Sequence, residues 1–195
     1  QLEAPPPENK YVFVACGQRH TVYLDENGNT YAYGYDGNSR LTVPPAGNKY
    51  VFVACGRSHT IYLDEDGKVY RYGPIFDSQL TAPPSVNKYV FVASGDLHTV
   101  YLDEDGNTYR YGFNNNGQIN APPAGKKYVF VACGSYHTIY LDEDGNVYRV
   151  GANNSSQLTA PPEIDADGNK IKYVFVACGE YNTVYLDQNG NTYGF

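Results

Sequence analysis

The chain has no long apolar run, no tryptophan and no methionine, and its basic residues are outnumbered by its acidic ones. No stretch approaches the roughly 20 apolar residues of a membrane-spanning helix, which excludes insertion by such a helix. The 14 Lys and Arg against 21 Asp and Glu give a net charge of -7. This argues against nucleic acid as a partner, because that binding depends on basic groups that neutralise phosphates. The absence of Met and of a charged-then-apolar leader predicts a processed product or an excised domain.

Aromatic residues are abundant instead. They make up 15% of the 195 residues, and 21 of them are tyrosine. A disordered chain would be poor in such residues, so the composition predicts a folded protein. The length is sufficient for one sizeable core and short for two ordinary domains. We therefore expect a single domain over 1–195.

One eight-residue segment recurs five times along the chain. It reads KYVFVACG, or KYVFVASG in the third copy, and the copies are 10–17, 49–56, 88–95, 127–134 and 172–179. The closing glycines are 39, 39, 39 and 45 residues apart. The six extra residues of the last interval fall in a polar stretch, 163–171, which predicts a longer surface loop. A fixed period of this length indicates a repeat protein.

Each repeat predicts three short strands. YVFVAC is a nearly continuous apolar run rich in β-branched and aromatic residues, which is typical of a strand covered on both faces. HTVYLD follows a G-x-x turn, and a D-E-N-G or D-E-D-G turn then leads to TYAYG or a variant of it. DG and NG supply the positive φ of hairpin turns, and paired prolines would stop a helix. Each repeat is therefore predicted to be a three-stranded antiparallel meander in an all-β fold.

The two ends of the chain correspond to the two halves of one repeat. Residues 1–9 align with the second half of a repeat, whereas 172–195 supply only the first half. A meander that is apolar on both faces must stack on its neighbours, and a split blade closes a propeller ring. The sequence predicts a five-bladed β-propeller with one blade split between the N- and C-termini. The predicted blades are 10–48, 49–87, 88–126, 127–171, and 172–195 completed by 1–9.

These motifs resemble the repeat of a known family. VACGQRHTVYLDENGNTYAYG with SQLTAPP or GQINAPP is similar to the repeat of the regulator of chromosome condensation (RCC1) propellers. The short linker resembles the compact variety of the secreted β-lactamase-inhibitory propeller. The resemblance covers the whole chain and implies a propeller that binds a protein or peptide. Relatives of this family are usually seven-bladed, and Tyr33, Tyr72, Tyr111 and Val150 replace the family's Trp, which excludes a tryptophan-based ultraviolet sensor.

One end of the predicted propeller differs from repeat to repeat. The strand directions place the G-x-x-H turns and the segments after the third strands at this end, and the D-E-D-G turns at the other. Its mixture of aromatic, amide and charged residues is typical of recognition loops on a rigid scaffold. Unconstrained variation of exposed loops is the alternative explanation. The predicted partner-binding residues are Gln18, Arg19, Arg57, Ser58, Phe76, Leu97, Phe113, Tyr136, Glu180 and Tyr181.

Other repeated residues are predicted to be structural. The acidic turns hold 12 of the 21 acidic residues, but they are shorter than a calcium loop and are interpreted as hairpin turns with at most weak cation adsorption. Equivalent histidines on successive blades are spread around the axis, so we expect a hydrogen bond within each blade and no metal site. These are His20, His59, His98 and His137, with Asn182 in the fifth repeat.

The cysteines also follow the repeat. They are Cys16, Cys55, Cys133 and Cys178, with Ser94 in the third repeat. Packed sheets lie about 10 Å apart and a disulfide needs Cα atoms within about 7 Å, so no disulfides are expected. A small buried packing role is predicted instead. Unpaired cysteines leave the compartment open between an extracellular or surface location and the cytoplasm.

No nucleophile pairs with a base and no phosphate-binding loop occurs, so the chain is not expected to be an enzyme or to hold a cofactor. Three functions stay open. The first is a scaffold that binds a protein or peptide through the variable loops. The second is a structural subunit of a filament or coat, in which residues 1–9 of one chain complete a sheet of the next. The third is a glycan-binding propeller, because tyrosines stack on sugar rings.

Overall fold

Fifteen strands form five sheets in the computed structural model, which describes residues 4–37, 39–74 and 78–195. The strands of the five successive blades are β1 (Tyr11–Cys16), β2 (His20–Asp25) and β3 (Thr30–Gly34); β4 (Tyr50–Cys55), β5 (Thr60–Asp64) and β6 (Val69–Tyr72); β7 (Tyr89–Ser94), β8 (His98–Asp103) and β9 (Thr108–Gly112); β10 (Tyr128–Cys133), β11 (His137–Asp142) and β12 (Val147–Gly151); and β13 (Tyr173–Cys178), β14 (Thr183–Asp187) and β15 (Thr192–Gly194). No helix that could cross a membrane occurs in these three ranges.

Each sheet is an antiparallel meander with its strands in chain order. The register is the same in every blade, including an irregularity after the first tyrosine of the first strand, between Tyr11 and Phe13 in β1. First strands of neighbouring blades contact one another in the series β1, β4, β7, β10 and β13, which places them innermost. The prediction of an all-β fold of five propeller blades is confirmed. The first and fifth blades do not cover each other, since Val14 and Val184 are 51% and 39% exposed, so the predicted closure of the ring within the chain is not observed.

The acidic turns owe their shape to their first aspartate. In the first blade, Oδ1 of Asp25 accepts hydrogen bonds from the backbone N–H groups of Asn27 (3.0 Å) and Asn29 (2.8 Å). Gly28 adopts a φ of +83°, which favours glycine, and its N–H donates to the carbonyl of Asp25 at 3.1 Å. The sequence D-x-x-G therefore forms a closed hairpin turn, as predicted.

The hydrophobic core lies between the blades. In the first interface, Val22 and Leu24 of the first blade pack on Tyr50, Val53 and Tyr62 of the second. We call the side of a blade that carries the equivalents of Ala15, Val22 and Leu24 its leading face. The other side, which carries the equivalents of Tyr50, Val53 and Tyr62, is its trailing face. The other three interfaces repeat this contact, with leading residues Ile61 and Leu63, Val100 and Leu102, and Ile139 and Leu141.

The buried histidines join neighbouring blades, which corrects the expectation of a hydrogen bond within each blade. His59 Nε2 lies 3.0 Å from Oγ1 of Thr99 in the next blade, and the other three pairs have 2.9 Å separations. The partners are 40 residues apart for the first three pairs. Each histidine is fully buried. The repeated H-T pair therefore fixes one blade against the next.

The segment before β1 occupies the place of an interblade linker. Asn9 Nδ2 donates to Oη of Tyr31 at 2.6 Å, and the Tyr11 hydroxyl donates to the carbonyl of Pro6 at 2.9 Å. In the second blade the Tyr50 hydroxyl bonds the carbonyl of Pro45 in the same way, at 2.8 Å. Completion of the fifth blade by residues 1–9 stays a prediction, as do the blade boundaries, and residues 1–3 lie outside the described ranges.

Gly95 lies where its own blade and the next one leave no room for a side chain. A Cβ here would be 2.2 Å from Cε1 of His98 and 2.4 Å from the carbonyl oxygen of Gly134. We expect Gly95→Ala to lower the free energy of unfolding by about 1–3 kcal/mol, the usual cost of overpacking, in a urea titration. Gly194→Ala is the control, because its Cβ would meet nothing within 4 Å. An equal loss in both variants would contradict the steric explanation.

Candidate functional site

Two sets of loops meet at one end of the propeller. The backbone N–H of Tyr35, after the third strand of the first blade, donates to the carbonyl of Arg19 at 2.8 Å. Phe113 and Leu97 are joined in the same way in the third blade, at 2.9 Å, and so are Ala152 and Tyr136 in the fourth. We call this end the variable-loop face. It comprises the turns 17–20, 56–59, 95–98, 134–137 and 179–182 and the segments 35–37, 74, 113–116 and 152–155.

The G-x-x-H turns share one backbone hydrogen bond, but their middle residues differ in exposure. Exposed are Gln18, Arg19, Arg57, Glu180 and Tyr181, half-buried are Ser58, Asp96, Leu97 and Tyr136, and buried is Ser135. The N–H of Gly17 donates to the carbonyl of His20 at 2.9 Å, and the same bond closes the other four turns at 2.9 or 3.0 Å. Because the His side chain is buried between blades, it anchors one end of the turn. The middle residues do not make the hydrogen bond to a threonine of the next blade that the histidine makes. Their identity can therefore differ between blades without disturbing the scaffold.

The first middle residue of each turn lines a central cavity of about 400 Å³. All five turns contribute to this cavity, together with the cysteine or serine that ends each first strand. The five variable residues are Gln18, Arg57, Asp96, Ser135 and Glu180. Equivalent positions of the five blades thus present different polar groups to a shared space on the axis.

Polar contacts connect four of these residues in sequence around the cavity. Arg57 Nε donates to Oε1 of Gln18 at 3.3 Å, and Arg57 Nη1 lies 3.9 Å from Oδ2 of Asp96. Ser135 Oγ donates to the other oxygen of Asp96 at 3.0 Å. Arg57 is exposed and Asp96 is half-buried, so this ion pair contributes little to stability and mainly orients the side chains.

A second cavity, of about 260 Å³, lies beside two stacked tyrosines. The rings of Tyr136 and Tyr181 are 6.3 Å apart with an interplanar angle of 29°. The remaining lining is largely amide and hydroxyl groups, from Asn116, Asn154, Ser155 and Gln157, with Ala152. The pKa of the Tyr181 hydroxyl is raised by the Glu180 carboxylate, which accepts its hydrogen bond and repels the phenolate. We call this feature the tyrosine cleft.

Tyr35, on the variable-loop face of the first blade, lies close to two cations. The guanidinium carbons of Arg19 and Arg40 lie 5.9 Å and 5.3 Å from the centre of its ring. Arg40 is buried and its Nε donates to the carbonyl of Gly37 at 2.9 Å. Cation–π contacts of this kind hold an exposed aromatic ring in place.

The structure brings some of the predicted residues together and leaves others apart. Tyr136 and Tyr181 lie together at the tyrosine cleft, and Gln18, Arg57 and Glu180 line the central cavity. Ser58, Leu97 and Phe113 are half-buried, while Arg19 contacts Tyr35. Phe76 lies outside the described residues. Their role in binding a partner stays a prediction.

Sequence reasoning did not select the amides of the cleft or Arg40. Gln157 and Arg40 occupy the slot of the Q-L linker motif, which also holds Gln79 and Gln118, and all four are buried. Arg40 replaces the glutamine that the other linkers carry at this position, and this difference is the one feature of the sequence that singles it out. Asn116 and Asn154 belong to asparagine-rich segments, and the predicted strand directions put these segments at the variable-loop face. The sequence does not indicate which of their side chains faces the cleft.

At the opposite end of the propeller, the acidic turns make hydrogen bonds and ion pairs within the fold. Burial tends to raise the pKa of the Asp25 carboxyl, but hydrogen bonds from Asn29, Asn27 and Tyr31 outweigh it and hold this pKa below the usual value. Lys10 forms an exposed ion pair with Glu26 at 3.0 Å. Across the described ranges, no group of three or more His, Cys, Asp or Glu side chains is arranged to hold a metal ion. All four cysteines are free.

Comparison with known proteins identifies the repeat and the fold. The model of the regulator of chromosome condensation (RCC1) repeat matches residues 50–73 and 128–157, which lie in the second and fourth blades. No curated protein sequence matches the chain. Among solved structures, human WBSCR16 superposes with a TM-score of 0.80 and 17% identity, over 96% of this chain and 62% of that one.

Two further structures show the same fold. Prp20p from Saccharomyces cerevisiae has a TM-score of 0.79 and 22% identity, over 96% of this chain and 58% of that one. The CRINKLY WD40 ectodomain of the Arabidopsis thaliana receptor kinase ACR4 has a TM-score of 0.75 and 17% identity, over 100% of this chain and 68% of that one. The chain thus spans less than two thirds of WBSCR16 and of Prp20p. Five meanders of one period and these structural neighbours show a β-propeller fold, and its second and fourth blades match the RCC1 repeat.

Proposed function

We propose that the chain is a non-enzymatic scaffold that binds a protein or peptide through the variable-loop face. The observation that supports this proposal is the contrast between the turns' anchors and their middle residues. The glycines and histidines of the turns repeat with the fold, whereas the residues around the central cavity are Gln18, Arg57, Asp96, Ser135 and Glu180. Such an arrangement supplies a rigid frame and a surface of mixed chemistry, which is the usual design of loop-based recognition.

The tyrosine cleft has the composition of a binding hot spot. Tyrosine offers a large apolar ring and a hydroxyl, and aromatic residues and arginine dominate the energetics of protein interfaces. Tyr181 is 49% exposed, so much of its ring is accessible to a partner. The amides of Asn116, Asn154 and Gln157 can pair with the backbone of a peptide whose side chain enters the cleft.

Structural neighbours support the class of partner but not its identity. Prp20p has been described with binding properties to Gsp1p and histones, and yeast RCC1 (Prp20) has been solved bound to Kap60. This chain covers 58% and 56% of those two chains at 22% identity. We therefore carry over to this chain only the proposal that a polypeptide is bound.

A displayed peptide library tests the proposal. Peptides selected on the wild-type chain are expected to bind the double variant Tyr136→Ala/Tyr181→Ala at least about 30-fold more weakly, which corresponds to about 2 kcal/mol for two hot-spot residues. Titration calorimetry measures the affinities. Lys126→Ala, at the opposite end, is the control and should bind as the wild type does. Phe76→Ala and Phe113→Ala test the two remaining predicted aromatic residues in the same assay.

Two results would contradict the proposal. Selected peptides that bind the double variant with unchanged affinity would remove the tyrosine cleft from the site, and the same result for Arg19→Ala and Arg57→Ala would remove the variable-loop face. A glycan array probed with the same variants addresses the third function. Specific sugar binding that the double variant loses would assign the cleft to a glycan instead.

A further inference from the structure

The trailing face of the first blade is uncovered. Val14 is 51% exposed, whereas the equivalent Val53, Val92, Val131 and Val176 are at most 1% exposed beneath the preceding blade. Tyr11 and Tyr23 are half-buried, although their counterparts in the second blade, Tyr50 and Tyr62, are buried. An apolar surface that is core in four blades is therefore open to solvent in the first.

The leading face of the fifth blade is uncovered as well. Val184 is 39% exposed, whereas its equivalents Val22, Ile61, Val100 and Ile139 are 0% exposed. Ala177 is exposed and Leu186 is half-buried, in positions where Ala132 and Leu141 are buried in the fourth blade. The first and fifth blades thus carry two uncovered apolar surfaces of opposite type.

These two surfaces correspond in their residues to the two sides of the interface between blades. The chain itself contains that interface four times, always as a leading face packed on a trailing face. Val184 and Leu186 match the leading residues, and Tyr11, Val14 and Tyr23 match the trailing ones. Because the interface is defined by residues on both sides, a face that fits one blade of this repeat fits any other.

The polar part of the interface can also be reproduced. In each internal interface the His side chain bonds a threonine of the next blade, as His137 does with Thr183 at 2.9 Å. In the uncovered faces Asn182 occupies the histidine position and Thr21 the threonine position. An amide can donate to or accept from a hydroxyl, so this pair can replace the His–Thr bond.

We propose that the leading face of the fifth blade binds the trailing face of the first blade of a second copy of this chain. The contact would repeat an interface that occurs four times within the fold, so the two faces are already complementary in shape and in residue type. It joins faces of complete sheets and does not require residues 1–9 to exchange between chains. The association is heterologous, so further copies add head to tail in a ring or a helix. It is independent of the variable-loop face.

Complementation between two blocked variants tests the proposal. Val14→Arg closes the trailing face and Val184→Arg closes the leading face, and both positions are exposed in the single chain, so both variants should fold. We expect the wild-type mass in sedimentation equilibrium to rise above 21.6 kDa with concentration, while each variant alone stays at 21.6 kDa. An equimolar mixture should form a one-to-one dimer and nothing larger, because each dimer is capped at both ends.

Val12→Arg is the matched control. Val12 lies on the same strand and is 58% exposed, but its equivalents Val51, Val90 and Val129 stay 46–48% exposed between stacked blades. Stacking does not cover this position, so Val12→Arg should associate as the wild type does. A wild-type chain that stays at 21.6 kDa, or a mixture that gives no dimer, would overturn the proposal. Tyr136→Ala/Tyr181→Ala should associate normally, which separates this test from that of the proposed function.

Discussion

Replacing Tyr101 by alanine is expected to remove about 3–5 kcal/mol from the free energy of unfolding, the range found for large aromatic deletions in cores. Tyr101 is 0% exposed and packs on Ala54, Ile61 and Leu63 of the preceding blade. Its ring also contacts Tyr89, with centres 5.7 Å apart. Loss of the ring leaves a cavity in the middle of an interface, where neither blade can close it. Urea titration followed by circular dichroism measures the effect.

Tyr101→Phe is the matched control for this variant. It keeps the ring and removes a buried hydroxyl that has no hydrogen-bond partner among the described residues. Removal of an unpaired buried polar group is neutral or stabilising, so the change should stay within about 1 kcal/mol of the wild type or exceed it in stability. A loss as large in Tyr101→Phe as in Tyr101→Ala would show that the hydroxyl, and not the packed ring, stabilises the interface.

Acid is expected to destabilise the propeller well above the range in which carboxylates titrate. Burial lowers the pKa of His59 and of His98 to about 3, with a further contribution from neighbouring histidines. Burial also lowers the pKa of His20 and His137 to about 4, and Arg40 adds to the effect at His20. All four pKa values lie below the 6.5 of an unfolded histidine. The folded state therefore binds fewer protons than the unfolded state between these limits.

The sign of the effect follows from this difference. The contribution of the neutral, buried histidines to the free energy of unfolding is fully present above pH 6.5. It falls as the pH drops towards 4 and then 3, because the unfolded chain binds protons more readily than the folded one. At pH 5, His59 and His98 should each have lost about 2 kcal/mol of stabilisation. Urea midpoints between pH 7.5 and 5 measure the loss. The lowered carboxyl pKa values of Asp25, Asp142 and Asp187 matter only at more acidic pH, so this window reports on histidine.

His98→Asn isolates one of these histidines. The fifth blade already carries Asn182 in the equivalent position, so an asparagine is compatible with the backbone hydrogen bond that closes the turn. We expect the variant to lose stability less steeply than the wild type as the pH falls from 7.5 to 5, whatever its stability at pH 7.5. An unchanged slope would assign the acid sensitivity to groups other than the interblade histidines.

The sequence predicts the blades well because each blade is locally determined. The period follows from KYVFVACG, the hairpins from DG and NG, and the strand directions place the G-x-x-H turns and the segments after the third strands at one end. Contacts between blades are harder to assign. The repeated H-T pair does not reveal whether His20 bonds a residue of its own blade or Thr60 of the next blade. Thr60 follows His20 by one repeat plus one residue, so both possibilities give the same sequence pattern. Only the packing geometry distinguishes the two.

The same limit applies to the ends and to the tyrosine cleft. The complementary fragments 1–9 and 172–195 predict a closed ring of blades. Whether a ring closes depends on the angle between neighbouring blades, and this angle depends on how side chains such as Leu24 and Tyr62 fit across an interface. No local sequence pattern encodes that fit. Tyr136 and Tyr181 were selected as variable residues 45 positions apart in sequence. Their stacking arises from the rotation between the fourth and fifth blades.

The innermost strands carry a feature with consequences for how such arrays change in length. Phe13, Phe52, Phe91, Phe130 and Phe175 form a continuous ladder, with ring centres 4.6–5.0 Å apart. Each rung meets only its neighbours, so duplication or loss of one coding unit would leave every remaining rung with a compatible partner. The number of blades and the chemistry of the turns can therefore evolve separately: recombination changes the number of repeats, and point substitution changes the side chains of the variable-loop face.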